Sequence, residues 1–166
     1  GLKFFYSNGF TGGLLEHDVS VAWDLSSTLT LVNTFSPSVL GFFFFRDDGK
    51  LLIIPSGLPK TYKSYSLSTP WDTTTASLSA TSTVSNDGEG LWAKPDGTKL
   101  YSGKGGTGSA VFREYTMSTP WDVTTLSLNT TSAVVDRGNF FIRPDGSQLF
   151  KFGPLSIDTL DEYSMG

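Results

Sequence analysis

The sequence contains one pentapeptide twice, as Ser68-Thr69-Pro70-Trp71-Asp72 and as Ser118-Thr119-Pro120-Trp121-Asp122, at a spacing of 50 residues. A third Trp-Asp pair, Trp23-Asp24, lies 48 residues before the first of them. A second marker, the Asp-Gly pair, recurs out of phase at intervals of 48 and 49 residues, at Asp48-Gly49, Asp96-Gly97 and Asp145-Gly146. Because two independent markers share one period, we expect a chain built from repeats of about 48 residues.

Each repeat predicts four short strands, which we label A to D in chain order. Strand A ends at the Asp-Gly pair, which is a strong hairpin-turn signal, and strand B follows it. Strand C carries an aligned tyrosine, and strand D is rich in Ser and Thr and alternates apolar with polar residues. The predicted ranges are 42–45, 91–94 and 140–143 for A, 50–54, 99–102 and 148–152 for B, and 28–35, 76–84 and 126–134 for D, with C around Tyr65, Tyr115 and Tyr163. Residues 3–24 supply one further pair of B and C strands.

Four antiparallel strands in about 48 residues are the size of one β-propeller blade. A chain of 166 residues is long enough for a single domain with its own core. The sequence therefore predicts an all-β protein, a single β-propeller over residues 1–166. Its repeats fall approximately at 1–48, 49–96, 97–145 and 146–166, about three and a half in all.

The order of these elements resembles a known repeat. It is similar to the propeller repeats of phage and other viral structural proteins and of some bacterial proteins. The elements that carry the resemblance are, in order, a strand, Pro-Asp-Gly, a strand, a strand with Tyr, Ser-Thr-Pro-Trp-Asp and a Ser/Thr-rich strand. The resemblance covers nearly the whole chain, although the first repeat departs from it with Ser20-Val21-Ala22-Trp23-Asp24. It implies a viral or phage structural or receptor-binding protein, on a virion or in the extracellular space, with a glycan as the expected ligand.

Composition excludes several other classes. A net charge of −4 and an isoelectric point near 4.8 argue against nucleic acid as a partner, since such binding needs clustered Lys and Arg. The longest apolar stretches, 39–45 and 51–54, are far shorter than the ~20 residues that span a bilayer, so no membrane insertion is expected. The absence of Cys removes disulfides and thiolate metal sites. The chain begins at Gly1 without a leader, which suggests a processed product or an excised fragment.

No catalytic residue, metal site or cofactor is predicted. The single histidine, His17, aligns with the tyrosines of strand C and is interpreted as scaffold. No Ser-His-Asp or paired-histidine arrangement can be assembled around it. We therefore expect that the protein is not an enzyme.

The repeat count leaves the predicted ring open. The chain supplies three A, four B, four C and three D strands, whereas a propeller closes with 4 to 8 blades. The chain could be a fragment of a longer propeller, a compact four-bladed monomer, or a partial ring completed by association with copies of itself. We favour self-association into a homodimer.

Two aligned positions lie near the predicted axis. Arg46, Lys94 and Arg143 precede the Asp-Gly turns, and we interpret them as a clasp to a nearby carboxylate, such as the Asp of Trp-Asp, in preference to a ring that binds an anion. The aromatic position of strand A is interpreted as core between blades, in preference to a platform for a sugar ring; it is occupied by Phe44, Trp92 and Phe141.

The B-to-C and D-to-A connections vary between repeats, and loops on a rigid scaffold often carry binding residues. The surface that they form is the predicted binding site, with simple drift of unused turns as the alternative. The candidate ligand-binding residues are Asn8, Phe10, Asn86, Asp87, Glu89, Lys104, Asp136, Arg137 and Asn139. Two other functions stay open: a self-assembling scaffold without a ligand, and a carbohydrate-active enzyme, a glycosidase or lyase, that uses Asp87, Glu89 and Asp136.

Overall fold

The computed structural model of the chain describes residues 2–8, 13–37, 42–56, 61–85, 90–104, 111–133, 140–152 and 160–164. These residues form an all-β protein of four separate antiparallel sheets, which confirms the all-β part of the predicted fold class. Within the described ranges, no helix is long and apolar enough to cross a membrane.

Each sheet is a meander whose strands lie side by side in chain order. The first sheet contains β1 (Lys3–Asn8), β2 (Gly13–Val19) and β3 (Leu29–Phe35). The second contains β4 (Phe44–Phe45), β5 (Leu51–Ser56), β6 (Thr61–Leu67) and β7 (Ala76–Ser85). The third contains β8 (Gly90–Ala93), β9 (Lys99–Lys104), β10 (Val111–Met117) and β11 (Leu126–Ala133). The fourth contains β12 (Phe140–Ile142), β13 (Gln148–Phe152) and β14 (Leu160–Ser164). The predicted strand ranges agree with these bounds to within two residues.

The pairing of C and D strands contains the same irregularity in three sheets. The register shifts by one residue just before the position of the aligned tyrosine, between Glu16 and His17, between Ser64 and Tyr65, and between Glu114 and Tyr115. A β-bulge of this kind bends a strand and increases its twist. Its recurrence shows that the sheets share backbone geometry as well as sequence.

The hydrophobic core lies between consecutive sheets, and we call each such contact a junction. The run Leu51-Leu52-Ile53-Ile54 is buried on both faces, because alternate residues of β5 point to the third sheet and to the first. Each junction contains a T-shaped aromatic pair, the geometry that ring quadrupoles favour. The pairs, with their centroid separations, are Phe35 with Tyr65 at 5.0 Å, Tyr62 with Tyr115 at 5.5 Å and Phe112 with Phe140 at 5.1 Å. Sheets packed face to face in chain order are consistent with a propeller-like fold.

Candidate functional site

Most of the predicted ligand-binding residues lie outside the described part of the chain: Phe10, Asn86, Asp87, Glu89, Asp136, Arg137 and Asn139. Asn8 is the last residue of β1, and Lys104 is the last residue of β9. Both positions therefore lead into B-to-C connections, as predicted. The loop surface as a binding site stays a prediction.

The opposite surface is formed by the Trp-Asp and Asp-Gly turns, and we call it the Trp-Asp surface. Here the Trp-Asp tryptophans of the second and third sheets, Trp71 and Trp121, each lie directly over a turn glycine of their own sheet. A Cβ atom added to Gly49 would be 2.4 Å from the Trp71 ring, and the same holds for Gly97 and Trp121. The backbone N–H of Trp71 donates to the Gly49 carbonyl at 2.9 Å, and the backbone N–H of Trp121 donates to the Gly97 carbonyl at 3.0 Å. The glycines are required both for their positive φ and for this close approach.

The tryptophans themselves adopt a strained backbone conformation. Trp23, Trp71 and Trp121 have φ values of 66°, 63° and 65°, and these are the only positive values among non-glycine residues in the described ranges. A bulky residue in this region costs of order 1–3 kcal/mol and persists only where the surroundings enforce it. The aspartate that follows supplies part of the enforcement, because Asp72 accepts hydrogen bonds from the Thr74 N–H at 3.0 Å and the Thr74 hydroxyl at 2.5 Å. The same bonds at Asp24 and Asp122 make the Trp-Asp pair a structural turn, as predicted.

The interpretation of the three cations as clasps to the Trp-Asp carboxylate is wrong about the partner. Each cation pairs with the aspartate two residues later, inside its own turn. Arg46 lies 2.7 Å from Asp48, Lys94 lies 2.6 Å from Asp96, and Arg143 lies 3.5 Å from Asp145. The turn places the two side chains close together because the Asp-Gly pair reverses the chain there. The Lys94 ammonium, together with the Thr98 hydroxyl, lowers the pKa of Asp96 to about 2.

Two contacts with the Trp121 ring cross the junction between the second and third sheets, one from a cation and one from an aromatic ring. The Arg46 guanidinium lies 5.8 Å from the centroid of the Trp121 ring, in the next sheet, and Phe44 stacks on the same ring at 6.2 Å. Such cation–π contacts contribute about 0.5–1 kcal/mol at exposed sites. Phe44 and Trp92 pack in junctions, as predicted, whereas Phe141 is about half exposed, so the prediction of a core position is wrong for Phe141.

A buried carboxylate connects the first and second sheets. The side chain of Glu16 is fully buried, and its Oε1 atom lies 2.6 Å from Lys3 Nζ. Its Oε2 atom accepts from the Thr73 N–H at 2.8 Å and from the Thr73 hydroxyl at 2.5 Å. The Asn33 amide donates to the same hydroxyl at 2.9 Å. A buried charge is costly unless it is paired and hydrogen-bonded. The Glu16 carboxylate therefore requires a residue with hydrogen-bond donors at the position of Thr73.

We call Leu25, Thr73 and Val123 the junction residues, since each directly follows a Trp-Asp pair. We call the aligned positions of strand C the acceptor positions: Glu16, Ser64, Glu114 and Glu162. The polar Thr73 meets the acceptor Glu16, whereas the apolar Val123 enters the apolar junction beside the second sheet, which carries Ser64 instead. A hydroxyl therefore accompanies the buried carboxylate of Glu16, and an apolar side chain packs beside the sheet whose acceptor position has no carboxylate.

The two outermost faces of the array expose positions that the inner junctions bury. Tyr6 on the first sheet is 41% exposed, and the aligned Ile54 of the second sheet is 0% exposed. On the fourth sheet Phe141 is 48% exposed and lies 6.4 Å from Phe150, whose counterpart Ile53 is 0% exposed. We call the face with Phe4 and Tyr6 the first end face, and the face with Phe141 and Phe150 the second end face.

His17 lies on the first end face in the slot of the aligned tyrosines. Its ring stacks on Tyr6 at 5.5 Å, and its Nδ1 atom is buried without a hydrogen-bond partner among the described residues. No group of three His, Asp or Glu side chains in those residues could hold a metal ion. The described contacts of His17 are thus those of a packing residue.

Sequence reasoning missed the Glu16 cluster, because its partner Thr73 is 57 residues away. A signal is nevertheless present: a Glu precedes the His or Tyr of strand C in three of the four repeats, at Glu16, Glu114 and Glu162. An internal alignment read for recurring carboxylates would have identified these positions.

The chain resembles several solved structures in fold. The alignment with a putative 6-phosphogluconolactonase from Bacteroides fragilis covers 98% of this chain and 50% of that chain, with 14% identity and a TM-score of 0.63. The alignment with a second putative 6-phosphogluconolactonase, from Bacteroides uniformis, also covers 98% of this chain and 50% of that chain, with 15% identity and a TM-score of 0.59. Kuenenia stuttgartiensis hydrazine synthase aligns with 99% of this chain over 43% of its own, at 16% identity and a TM-score of 0.58. No family model matches the chain, and no curated protein matches its sequence.

These neighbours correct one prediction. All three are described by the names of enzymes, so the expectation that the protein is not an enzyme is wrong as an inference from this architecture. At such low identity the likeness shows the fold alone. The chain spans about half the length of these neighbours.

Proposed function

We propose that the chain is a self-associating β-propeller unit built from four-stranded blades of about 48 residues. Two copies join through their end faces into one ring, and the ring presents the variable loops to a ligand. A glycan is the predicted ligand class, and a receptor-binding role on a phage or viral particle is the predicted setting. One observation carries the proposal: aligned positions are buried at the inner junctions and exposed on both end faces.

The recurring junction indicates what would cover those faces. At each inner junction, the face that corresponds to the second end face packs on the face that corresponds to the first end face. Ile53 and Tyr101 are buried in this way against the third and fourth sheets. A second copy offers the same complementary pair of faces, so two head-to-tail contacts related by a twofold axis would close the ring. Four sheets from each copy give eight, at the upper end of the usual range of 4 to 8.

Solvent-exposed leucines elsewhere do not support association in the same way. Leu31, Leu78 and Leu128 occupy one aligned position on the outermost strands, and all three are more than half exposed. Leu78 and Leu128 are exposed although neighbouring sheets flank them. These leucines are therefore exposed because they lie on the outermost strands, which we call the rim. Tyr6 and Phe141 are exposed because no neighbouring sheet covers the end faces.

Light scattering on the 166-residue chain tests the association. We expect a species with twice the mass of 18.0 kDa. Tyr6→Glu places a charge in the first end face and should yield monomers, whereas the matched control Leu128→Glu, on the rim, should leave the dimer intact. A wild-type chain that stays at 18.0 kDa at all concentrations, or equal dissociation of both variants, would contradict the proposal.

A glycan-binding test addresses the ligand separately. The assembled protein is applied to a glycan array, beside a variant in which Asn86, Asp87 and Glu89 are replaced by Ala. Selective retention of one glycan class by the wild type, lost in the variant, supports the predicted loop site. Absence of any retained glycan would contradict the predicted ligand class without affecting the assembly.

A second candidate function is hydrolysis of a sugar lactone. It is favoured by alignments that cover 98% of this chain and 50% of each of two neighbours described as putative 6-phosphogluconolactonases. The predicted carboxylates Asp87, Glu89 and Asp136 would then act on the loop surface. Incubation with a 6-phosphogluconolactone, followed by pH-stat titration of the acid released, tests this function; a rate equal to the spontaneous rate would exclude that substrate.

A further inference from the structure

The chain contains a single sequence of the kind to which an N-linked glycan is attached. Asn129-Thr130-Thr131 matches the pattern of Asn, any residue except Pro, and then Ser or Thr. The other four asparagines lack Ser or Thr two residues later, where the sequence has Phe10, Phe35, Gly88 and Phe141. A three-residue pattern is weak evidence by itself, so the place of Asn129 in the fold decides whether a glycan can be carried there.

Asn129 lies at the bulge of the outermost strand of the third sheet. Glu114 pairs with Thr130 and Tyr115 pairs with Leu128, so Asn129 has no partner residue on β10. Among the described strands, β11 has β10 as its only neighbour, and the side chain of Asn129 is exposed. The extra residue of a bulge stands outside the hydrogen-bonded ladder. A group attached to Asn129 therefore does not interrupt the pairing of the strands.

The hydrogen bond of the Asn129 amide is compatible with modification. Its Nδ2 atom carries two hydrogens and donates to Glu114 Oε1 at 2.5 Å. Attachment of a sugar replaces one hydrogen and leaves the other for Glu114. The same carboxylate also lies 2.9 Å from Lys99 Nζ and accepts from the Tyr101 hydroxyl. Glu114 thus keeps all three donors when Asn129 is modified.

The strand that carries Asn129 lacks the usual protection of a sheet edge. β11 contains no Asp, Glu, Lys, Arg or Pro, and Leu128, next to Asn129, is 53% exposed. An uncharged, exposed edge is open to pairing with other chains unless something blocks it. An N-linked glycan is bulky and solubilising. At Asn129 it would cover both Leu128 and the outer edge of β11.

We propose that Asn129 is an attachment site for an N-linked glycan, transferred from an oligosaccharide on a polyprenyl pyrophosphate carrier. Asn129 Nδ2 forms a bond to C1 of the first sugar and loses one proton. The bond from C1 to the pyrophosphate oxygen breaks, and the pyrophosphate leaves with the electron pair. The glycan lies on the rim and leaves the end faces and the variable loops free, so the proposal does not depend on self-association or on a loop ligand.

Synthesis of the 166-residue chain behind a secretion leader, in the presence of microsomes with N-glycosylation activity, tests the proposal. We expect the mass of the wild type to increase by one glycan, which an N-glycosidase removes. Thr131→Val keeps the Asn129 amide and its bond to Glu114 but should abolish the increase. Ser79 occupies the equivalent bulge of the second sheet, two residues before Thr81. Ser79→Asn should therefore add a second glycan.

Thermal unfolding of the product tests whether the fold accommodates the glycan. We expect the Tm values of the glycosylated chain and of the N-glycosidase-treated chain to differ by less than about 2 °C, as for a change on the surface. A larger loss of Tm in the glycosylated chain would overturn the proposal. The same holds for a wild-type chain that enters the microsomes but stays unmodified, and for an equal mass increase in Thr131→Val.

Discussion

The hydroxyl of Thr73 offers the sharpest test of how the sheets are joined. Thr73→Val removes the 2.5 Å bond to the buried Glu16 carboxylate and the acceptor for the Asn33 amide, while it leaves the shape of the side chain nearly unchanged. The Thr73 N–H at 2.8 Å and Lys3 at 2.6 Å still compensate the charge. The variant therefore removes the two hydrogen bonds of one hydroxyl and leaves the rest of the junction in place.

The expected cost follows from the burial of the acceptor. A hydrogen bond to a charged group contributes about 1.5–3 kcal/mol, and burial of one additional methyl group returns up to about 0.8 kcal/mol. Asn33 is half-buried, so its amide can recover a bond to water. We expect a net loss of about 1–2 kcal/mol in the free energy of unfolding, or roughly 2–8 °C in Tm for a chain of this size.

The neighbouring residue provides a matched control. The Thr74 hydroxyl donates to Asp72 at the same distance of 2.5 Å, but both groups are on the surface. Thr74→Val should cost no more than about 0.5 kcal/mol, because exposed ionic contacts are weak. Urea unfolding of both variants gives the comparison. Equal losses in the two variants would refute the view that the Glu16 cluster holds the first two sheets together.

Two further predictions concern the Asp-Gly turns. Gly49→Ala and Gly146→Ala both place a Cβ at a φ near 70°, which costs about 1–2 kcal/mol, but only the first pushes on an indole ring, that of Trp71 at 2.4 Å. Urea unfolding should therefore show a clearly larger loss for Gly49→Ala, and equal losses would mean that the tryptophan does not depend on the glycine. Lys94→Ala should raise the pKa of Asp96 from about 2 towards its ordinary value of 3.8. Because the folded-state pKa is lowered, the stabilisation by Lys94 is present above pH 4 and is lost as the pH falls towards 2. It should stay below about 1 kcal/mol at this exposed site. A difference in the free energy of unfolding between wild type and variant that persists unchanged at pH 2 would contradict the assignment.

Much of the fold was predictable because its signals are local. The Asp-Gly pair specifies a hairpin wherever it occurs, and the run Leu51-Leu52-Ile53-Ile54 indicates a strand buried on both faces. The repeat then multiplies each local signal, so errors in one copy are corrected by the others. The structure accordingly places all fourteen predicted strands in the described residues, in the predicted order.

The contacts between sheets were much less predictable, because they join residues of distant repeats. The predicted clasp of Arg46 failed for this reason: the sequence shows several carboxylates in reach, and only the turn geometry selects Asp48. Glu16 gave no local sign that it would be buried against Thr73. For the candidate site, the repeats identify which loops vary, but variation by itself carries no information about the chemistry of a ligand.

The order of the junctions is the central claim, and a nuclear Overhauser spectrum tests it most directly. Each junction brings one T-shaped aromatic pair together, with centroid separations of 5.0, 5.5 and 5.1 Å along the chain. We expect cross-peaks between the rings of Phe35 and Tyr65, of Tyr62 and Tyr115, and of Phe112 and Phe140. Cross-peaks that instead connect the first sheet with the third, or the absence of all three, would contradict successive face-to-face packing of the sheets.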